Sequence, residues 1–139
     1  MNFSLRRALR SAIKNRTERD FEDFIDRLFF LLYGDDYIPI RRVKDKGNDG
    51  TIRSKKKIIA CYAPEKYEEG KFRAKVLGSG KKKGDFDKYK EEWQEQFENW
   101  EMIVNHDIAP EQLKLIDRLD GETSIKGLKQ KLLIIENNL

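Results

Sequence analysis

The stretch Lys46-Gly47-Asn48-Asp49-Gly50 and the apolar run that follows it, Ile58-Ile59-Ala60-Cys61-Tyr62-Ala63, decide how this chain is read. Asn-Asp-Gly is turn chemistry, because short polar side chains and glycine tolerate the tight backbone that reverses a strand. The apolar run lacks polar alternation, which is the pattern of a strand buried on both faces. Pro64 ends it by withholding a backbone donor. Between the two lies a shorter strand, Thr51-Ile52-Arg53, with residues 54–57 reversing the chain. Asp49 therefore stands at the entry of one strand and beside a central one. Taken singly it is explained by the turn; only the strand behind it makes it a candidate for chemistry.

Toward the N-terminus, Phe21, Phe24, Ile25, Leu28, Phe29 and Leu32 recur at helical spacing and give an apolar face to a helix ending at Gly34. Thr17 and Asp20 stand where a cap is expected. The opposite face carries Glu18, Glu22, Asp23 and Asp26, a solvated stripe from which one acid can point at a site at the helix end. Leu5, Leu9, Ala12 and Ile13 predict a short amphipathic helix before it, ending around Asn15. Tyr37-Ile38-Pro39-Ile40-Arg41-Arg42-Val43 reads as a first strand, with Pro39 pointing to a sheet edge or an irregular start because it cannot donate to a ladder.

Beyond the central strand, residues 64–85 combine four glycines with Lys71, Arg73, Lys75, Lys81, Lys82 and Lys83. They read as a mobile basic loop, able to follow a phosphate backbone without reading bases. Phe86, Tyr89, Trp93, Phe97 and Trp100 are spaced as the aromatic, core-facing side of a second long helix. Met102-Ile103-Val104-Asn105 is a short strand, and Pro110 opens a helix with Leu113, Ile116 and Leu119 on one face, ending near Gly121. Thr123-Ser124-Ile125 is a weak last strand, and residues 128–135 predict a terminal helix. Strand and helix alternate in this half, so the expected fold is one layered α/β domain over residues 1–139, a mixed sheet flanked by helices. Its parts are an N-terminal helix (1–15), a helix with hairpin and central strand (16–63), the basic loop (64–85) and a helix-strand-helix half (86–139).

Charged residues make up 39% and hydrophobic residues 38% of the 139, a globular composition with too many aliphatics and aromatics for a disordered chain. No apolar run reaches membrane-helix length, and the basic start lacks the apolar core of a signal peptide, so a cytoplasmic location is expected. A single cysteine, Cys61, excludes a disulfide framework or a zinc site and reads as a small core side chain. His106, the only histidine, follows a strand beside Asp107 and supports neither a triad nor a metal site. The net charge of +4 is uneven, about +10 over residues 1–84 and about −7 over 85–120. A basic N-terminal portion suits a polyanion, since lysine and arginine release counterions from phosphates. There is no helix-turn-helix, zinc-finger or RNA-binding-strand signature that would read sequence.

Two carboxylates beside a hairpin suit Mg²⁺, a hard ion that keeps several waters and needs only one or two protein acids plus a phosphate. Asp49 supplies the first acid, and Glu22 of the upstream helix is the candidate for the second. A lysine on the neighbouring strand would orient a metal-bound water and offset the charge of the transition state. The helix over 21–32, the turn over 46–50, the strand over 58–63 and the later Trp100-Glu101-Met102-Ile103-Val104-Asn105 together resemble the PD-(D/E)XK, or restriction-endonuclease-like, superfamily over most of the chain. Cys61-Tyr62-Ala63-Pro64-Glu65, with Val104-Asn105 and the helix start Pro110-Glu111, is similar to nuclease-like domains at the N-termini of larger bacterial anti-phage proteins, including those of ABC-type three-component systems. The resemblance implies a three-layer α/β core, Mg²⁺-dependent phosphodiester hydrolysis acting on DNA, and a homodimer or larger defence complex.

Carried over residue by residue, Asp49 matches the metal-binding acid, Ala60 falls where Glu or Gln is expected, and Tyr62 falls where lysine is expected. The narrower group's Gln-x-Tyr-Ala-Pro pattern accommodates Tyr62, but the methyl group of Ala60 cannot bind a metal. Three readings stand side by side. The site has lost catalysis and left a domain that binds nucleic acid or a partner protein; a side chain such as Glu65, Lys57 or Lys66 restores it; or the motif register is displaced. The catalytic candidates are thus Asp49, Tyr62, Glu65 and Lys66, with Asp49 and Glu22 for the metal and the six basic residues of the loop for nucleic acid.

Overall fold

Ile58 and Ala60 point to one face of strand β3 (Lys57–Tyr62), Ile59 and Cys61 to the other, and all four are buried. The computed structural model describes residues 3–40, 46–119 and 121–128. Helices α1 (Phe3–Lys14) and α2 (Glu18–Tyr33) precede β1 (Tyr37–Pro39), β2 (Gly50–Ile52) and β3. Then come α3 (Glu69–Leu77), α4 (Asp85–Glu92), β4 (Asn99–Val104), α5 (Pro110–Asp117) and β5 (Glu122–Lys126). The strands form one sheet in the order β1-β2-β3-β4-β5. Pairing is antiparallel from β1 to β3 and parallel from β3 to β5, so the sheet is mixed and β3 is its centre.

Each face of the sheet carries its own core. Ile59, Cys61 and Ala63 pack with Ile13 of α1 and with Phe21, Ile25 and Phe29 of α2. On the opposite face, Ile58 and Ala60 share a cluster with Phe72 and Val76 of α3, Phe86 and Tyr89 of α4, and Leu115 and Ile116 of α5. The result is a three-layer α/β core, as expected from the alternation of elements. Thr17 and Gly34 bound α2 where the sequence places its ends, and Pro39 lies on the edge strand where its missing donor is harmless. The β4 residue Glu101 is 2% exposed and is neutralised by Lys57 of β3 and Lys126 of β5, each at 3.2 Å, which ties three strands together. Among the described residues no helix is long and apolar enough to cross a membrane.

Three expectations need correction. Residues 64–85 are not one mobile loop: α3 runs through them, because Phe72 and Val76, one turn apart, bury completely against the sheet. The abundance of lysine and glycine hid this two-residue stripe. The long aromatic helix is really the short α4 followed by turns, and Trp100 stands on β4, where it is fully buried against Phe86 and Tyr89. Aromatic spacing reported a shared core but not a shared helix. The helix opened by Pro110 stops at Asp117, short of Gly121. The expected continuation of the first strand over 41–43 and of the terminal helix beyond Leu128 lies outside the described residues.

The helical state of α3 can be tested by stability. Phe72→Ala should cost about 3–5 kcal/mol in urea unfolding, whereas the exposed neighbour Arg73→Ala should change stability by no more than about 0.5 kcal/mol. Equal, negligible effects at both positions would restore the mobile-loop reading.

Candidate functional site

The backbone N–H of Cys61 donates to the Asp49 carboxylate at 2.7 Å, and the Asp49 N–H donates to the Ile59 carbonyl at 2.8 Å. The side chain of Asp49 thus enters the ladder between β2 and β3, through a charge-assisted bond that fixes its position beside the end of β3. Asn48, fully buried, shapes the turn: its Oδ1 accepts from the Gly50 N–H at 3.0 Å, and its Nδ2 donates to Thr51 Oγ1 at 3.0 Å. Gly47, at φ +80°, lets the turn lie against α4, since a Cβ there would sit 2.9 Å from Lys88 Cβ and 3.0 Å from the Asp85 carbonyl. Trp93 secures the same turn by donating its indole N–H to the Lys46 carbonyl at 3.0 Å.

At the C-terminal end of β3 the layers part to form a cleft of about 880 Å³. The start of α2 borders it, anchored by the Glu18 N–H donating to the Ala63 carbonyl at 2.9 Å. With Phe21 and Ile25 held in the core, Glu18 and Glu22, one turn apart, face the cleft. Asn105, buried at the end of β4, clamps the floor by donating to the Arg16 and Pro64 carbonyls at 2.9 and 3.2 Å. On α3 the burial of Phe72 and Val76 turns Lys71 and Lys75 into the opening.

The sequence candidates separate here. Glu22, Tyr62, Glu65, Lys66, Lys71, Lys75, Lys82 and Lys83 all line the cleft, whereas Arg73 and Lys81 are exposed outside its lining. Asp49 lies close enough to act on Lys75. Asp85 and Lys88 of α4 also line the cleft and were not singled out from the sequence. Asp85, with its side chain 8% exposed, pairs with Lys75 at 3.2 Å. Burial alone would push the Lys75 ammonium down, but Asp85, Asp49 and Glu22 together outweigh it and hold it above the ordinary lysine range. Lys71 and Lys83 are different, because their partners Glu68 and Glu91 are exposed and such pairs compete weakly with a phosphate.

Ala60 and Tyr62 have distinct fates. Ala60 has no exposed surface and lies opposite Met102 of β4, inside the core rather than in the cleft. Tyr62 is half-buried at the cleft with its ring against Phe72, 5.7 Å between centroids. Burial first of all raises its phenol, which keeps it neutral. Lys57 is remote from this end: it starts β3 and is held by Glu101. His106 is packed against Tyr67 with its ring nitrogens 3.1 Å from Asn105 Oδ1 and Gln112 Oε1, a bracing arrangement behind the cleft.

The resemblance implies Mg²⁺, and the donor set can be tested against it. Glu22 and Asp49 offer hard carboxylate oxygens, and with Asp85 they act on the Lys75 ammonium. Among the described residues no three His, Cys, Asp or Glu side chains are grouped closely enough to hold an ion by themselves. Asp49 and Glu22 are carboxylates of the kind that Mg²⁺ takes beside water and a substrate phosphate, and what the structure shows of them is that both act on Lys75. Comparison with protein-family models, curated proteins and solved structures returned no match.

The burial of Ala60 leads to a prediction. Ala60→Glu, which rewrites the missing motif residue, should lower stability by about 2 kcal/mol or more, because it overpacks the core and forces a carboxylate into it. Thermal unfolding with and without Mn²⁺ checks this; a stable variant that gains metal-dependent stabilisation would place residue 60 in the cleft instead.

Proposed function

We propose that this chain is a nuclease-like domain that acts on DNA, holding the phosphate backbone in the cleft and hydrolysing a phosphodiester with the help of Mg²⁺ held by Asp49 and Glu22. The observation that carries this reading is that Asp49, held at the end of β3 by the Cys61 N–H, and Glu22 both act on Lys75, which lines a cleft with Glu22, Lys66, Lys71, Lys82, Lys83 and Lys88. Acids alone would repel a phosphate, and lysines alone would only bind it. When bound, the ion would neutralise a phosphoryl oxygen and make its water more acidic. The lysines at the rim position the strand through its phosphates, which gives affinity without sequence preference. The Cys61 N–H holds the Asp49 carboxylate in place throughout. Because one cleft meets one strand, a duplex break calls for two copies, in a homodimer or in a larger anti-phage assembly of the kind the resemblance implies.

A second reading, a non-catalytic module that binds nucleic acid, draws on Ala60 and Tyr62 standing where the superfamily has its second acid and its lysine. One experiment separates the two. Plasmid and linear duplex are incubated with the protein and Mg²⁺ or Mn²⁺, beside Asp49→Ala, and retention of duplex is measured against salt. Cutting that vanishes in Asp49→Ala is expected for the nuclease. Retention that weakens with salt, without cutting, identifies the binding module, and a chain that neither cuts nor retains DNA overturns both. In either DNA-directed case, replacing Lys82 and Lys83 together by alanine should reduce the slope of log K against log salt by about two.

A further inference from the structure

Tyr62 stands where a strand lysine is expected, yet a lysine reaches the same end of β3 from another element. Lys75 and Lys71 line the same cleft as Tyr62, at the end of β3 where a lysine at position 62 would stand. Their helix cannot rotate away, because Phe72 and Val76 on its other side have no exposed surface. Only Lys75 of the two is drawn inward. Its partner Asp85 is almost wholly buried, whereas Lys71 is paired with the half-exposed Glu68. Gly84 keeps the pair in register: a Cβ there would fall 2.2 Å from the Val76 carbonyl, so any side chain would drive α4 and Asp85 away from α3. Of the other candidates for restoring the site, Lys57 is bound to Glu101 at the far end of β3, and Glu65 and Lys66 line the cleft only from the exposed segment beyond Pro64.

We propose that Lys75, presented by α3 and held by Asp85 of α4, is the cation that meets the scissile phosphate in place of the lysine that β3 lacks. The inference rests on the nuclease reading above and names the groups that complete its site. In the step itself a water oxygen adds to phosphorus and the bond from phosphorus to the leaving sugar oxygen breaks, taking its electron pair with it. One proton of the water ends on that sugar oxygen and the other stays with the phosphate product, so no oxidant or reductant is needed. Lys75 keeps its proton and lies against the non-bridging oxygens, where negative charge grows. Asp85 is a positioning residue: it touches Lys75, not the phosphate.

The test uses the full chain with a duplex and Mg²⁺ for single-turnover cutting, and the same duplex with Ca²⁺ for affinity. Lys75→Met should lose about 10²–10³-fold in rate while its duplex affinity changes far less, and Lys75→Arg should recover part of the rate. Lys114→Met, on the exposed side of α5 and outside the cleft, should cut at the wild-type rate. Asp85→Asn gives a readout independent of cutting: the Lys75 ammonium, followed by NMR, should titrate lower, because burial remains while its largest opposing charge is gone. Urea unfolding of each variant confirms that it folds. A Lys75→Met protein that cuts at the wild-type rate, or a Lys114→Met protein that loses as much, overturns the role of Lys75 and leaves the nuclease reading standing. An unmoved Lys75 titration in Asp85→Asn overturns the positioning role. Wild-type protein that retains duplex without cutting it overturns the inference together with the hydrolytic part of the proposed function.

Discussion

Burial of β3 on both faces is the constraint on which the rest of the structure depends. A strand with no exposed face cannot slip in register without placing its apolar set against the wrong layer. Its neighbours are therefore fixed as well, β2 antiparallel on one side and β4 parallel on the other. The parallel step obliges the chain to leave the end of β3 and return to the start of β4, and α3 and α4 lie in that return path. The same return carries Lys75 and Asp85 across the end of β3. The Asp49 carboxylate, taken into the ladder by the Cys61 N–H, is held to the same strand end from the other side.

Electrostatics at that strand end follow from how deeply each group is placed. Lys75 is half withdrawn from water, so the carboxylates of Asp85, Asp49 and Glu22 act on it through a medium that screens less than solvent. Lys71 and Lys83 stand farther out, where the same kind of pairing is weak and exchangeable. A cleft built this way has one fixed pair, Lys75 with the buried Asp85, and an adaptable rim of exposed lysines. The chain charge has the same division, basic before residue 85 and acidic after it, but its linear order does not reveal that Asp85 turns back to meet Lys75.

Much of the scaffold was legible because its signals are local. The helical stripe from Phe21 to Leu32, the apolar run of β3, the edge position of Pro39 and the helix start at Pro110 were all read correctly, each from residues close in sequence. The errors came where a local signal was weak or shared. Phe72 and Val76 make a stripe of only two residues, diluted by lysines and glycines, although Lys71 and Lys75 repeat the same spacing on the other face. Trp100 kept step with Phe86 and Tyr89 because strand and helix bury it in one core, not because it continues the helix. Of the site, Asp49, Glu22 and four of the six basic candidates were placed at the cleft or beside it, while Asp85 and Lys88 carried no pattern that set them apart from other charged residues of an acidic stretch.

By itself the sequence determined the layering and the two-sided central strand, because apolar periodicity and turn chemistry act over a few residues and survive without knowledge of the fold. It also determined that Ala60 and Tyr62 cannot supply an acid or a lysine, since that is a matter of side-chain chemistry alone. Only the tertiary structure decided that Ala60 is sealed in the core, that Lys75 is the lysine drawn inward, and that Asp85 holds it there. The reason is geometric. The pairing joins residues on two helices whose relative position is set by Phe72 and Val76 packing on the sheet and by the close approach at Gly84, and neither contact leaves a spacing in the chain.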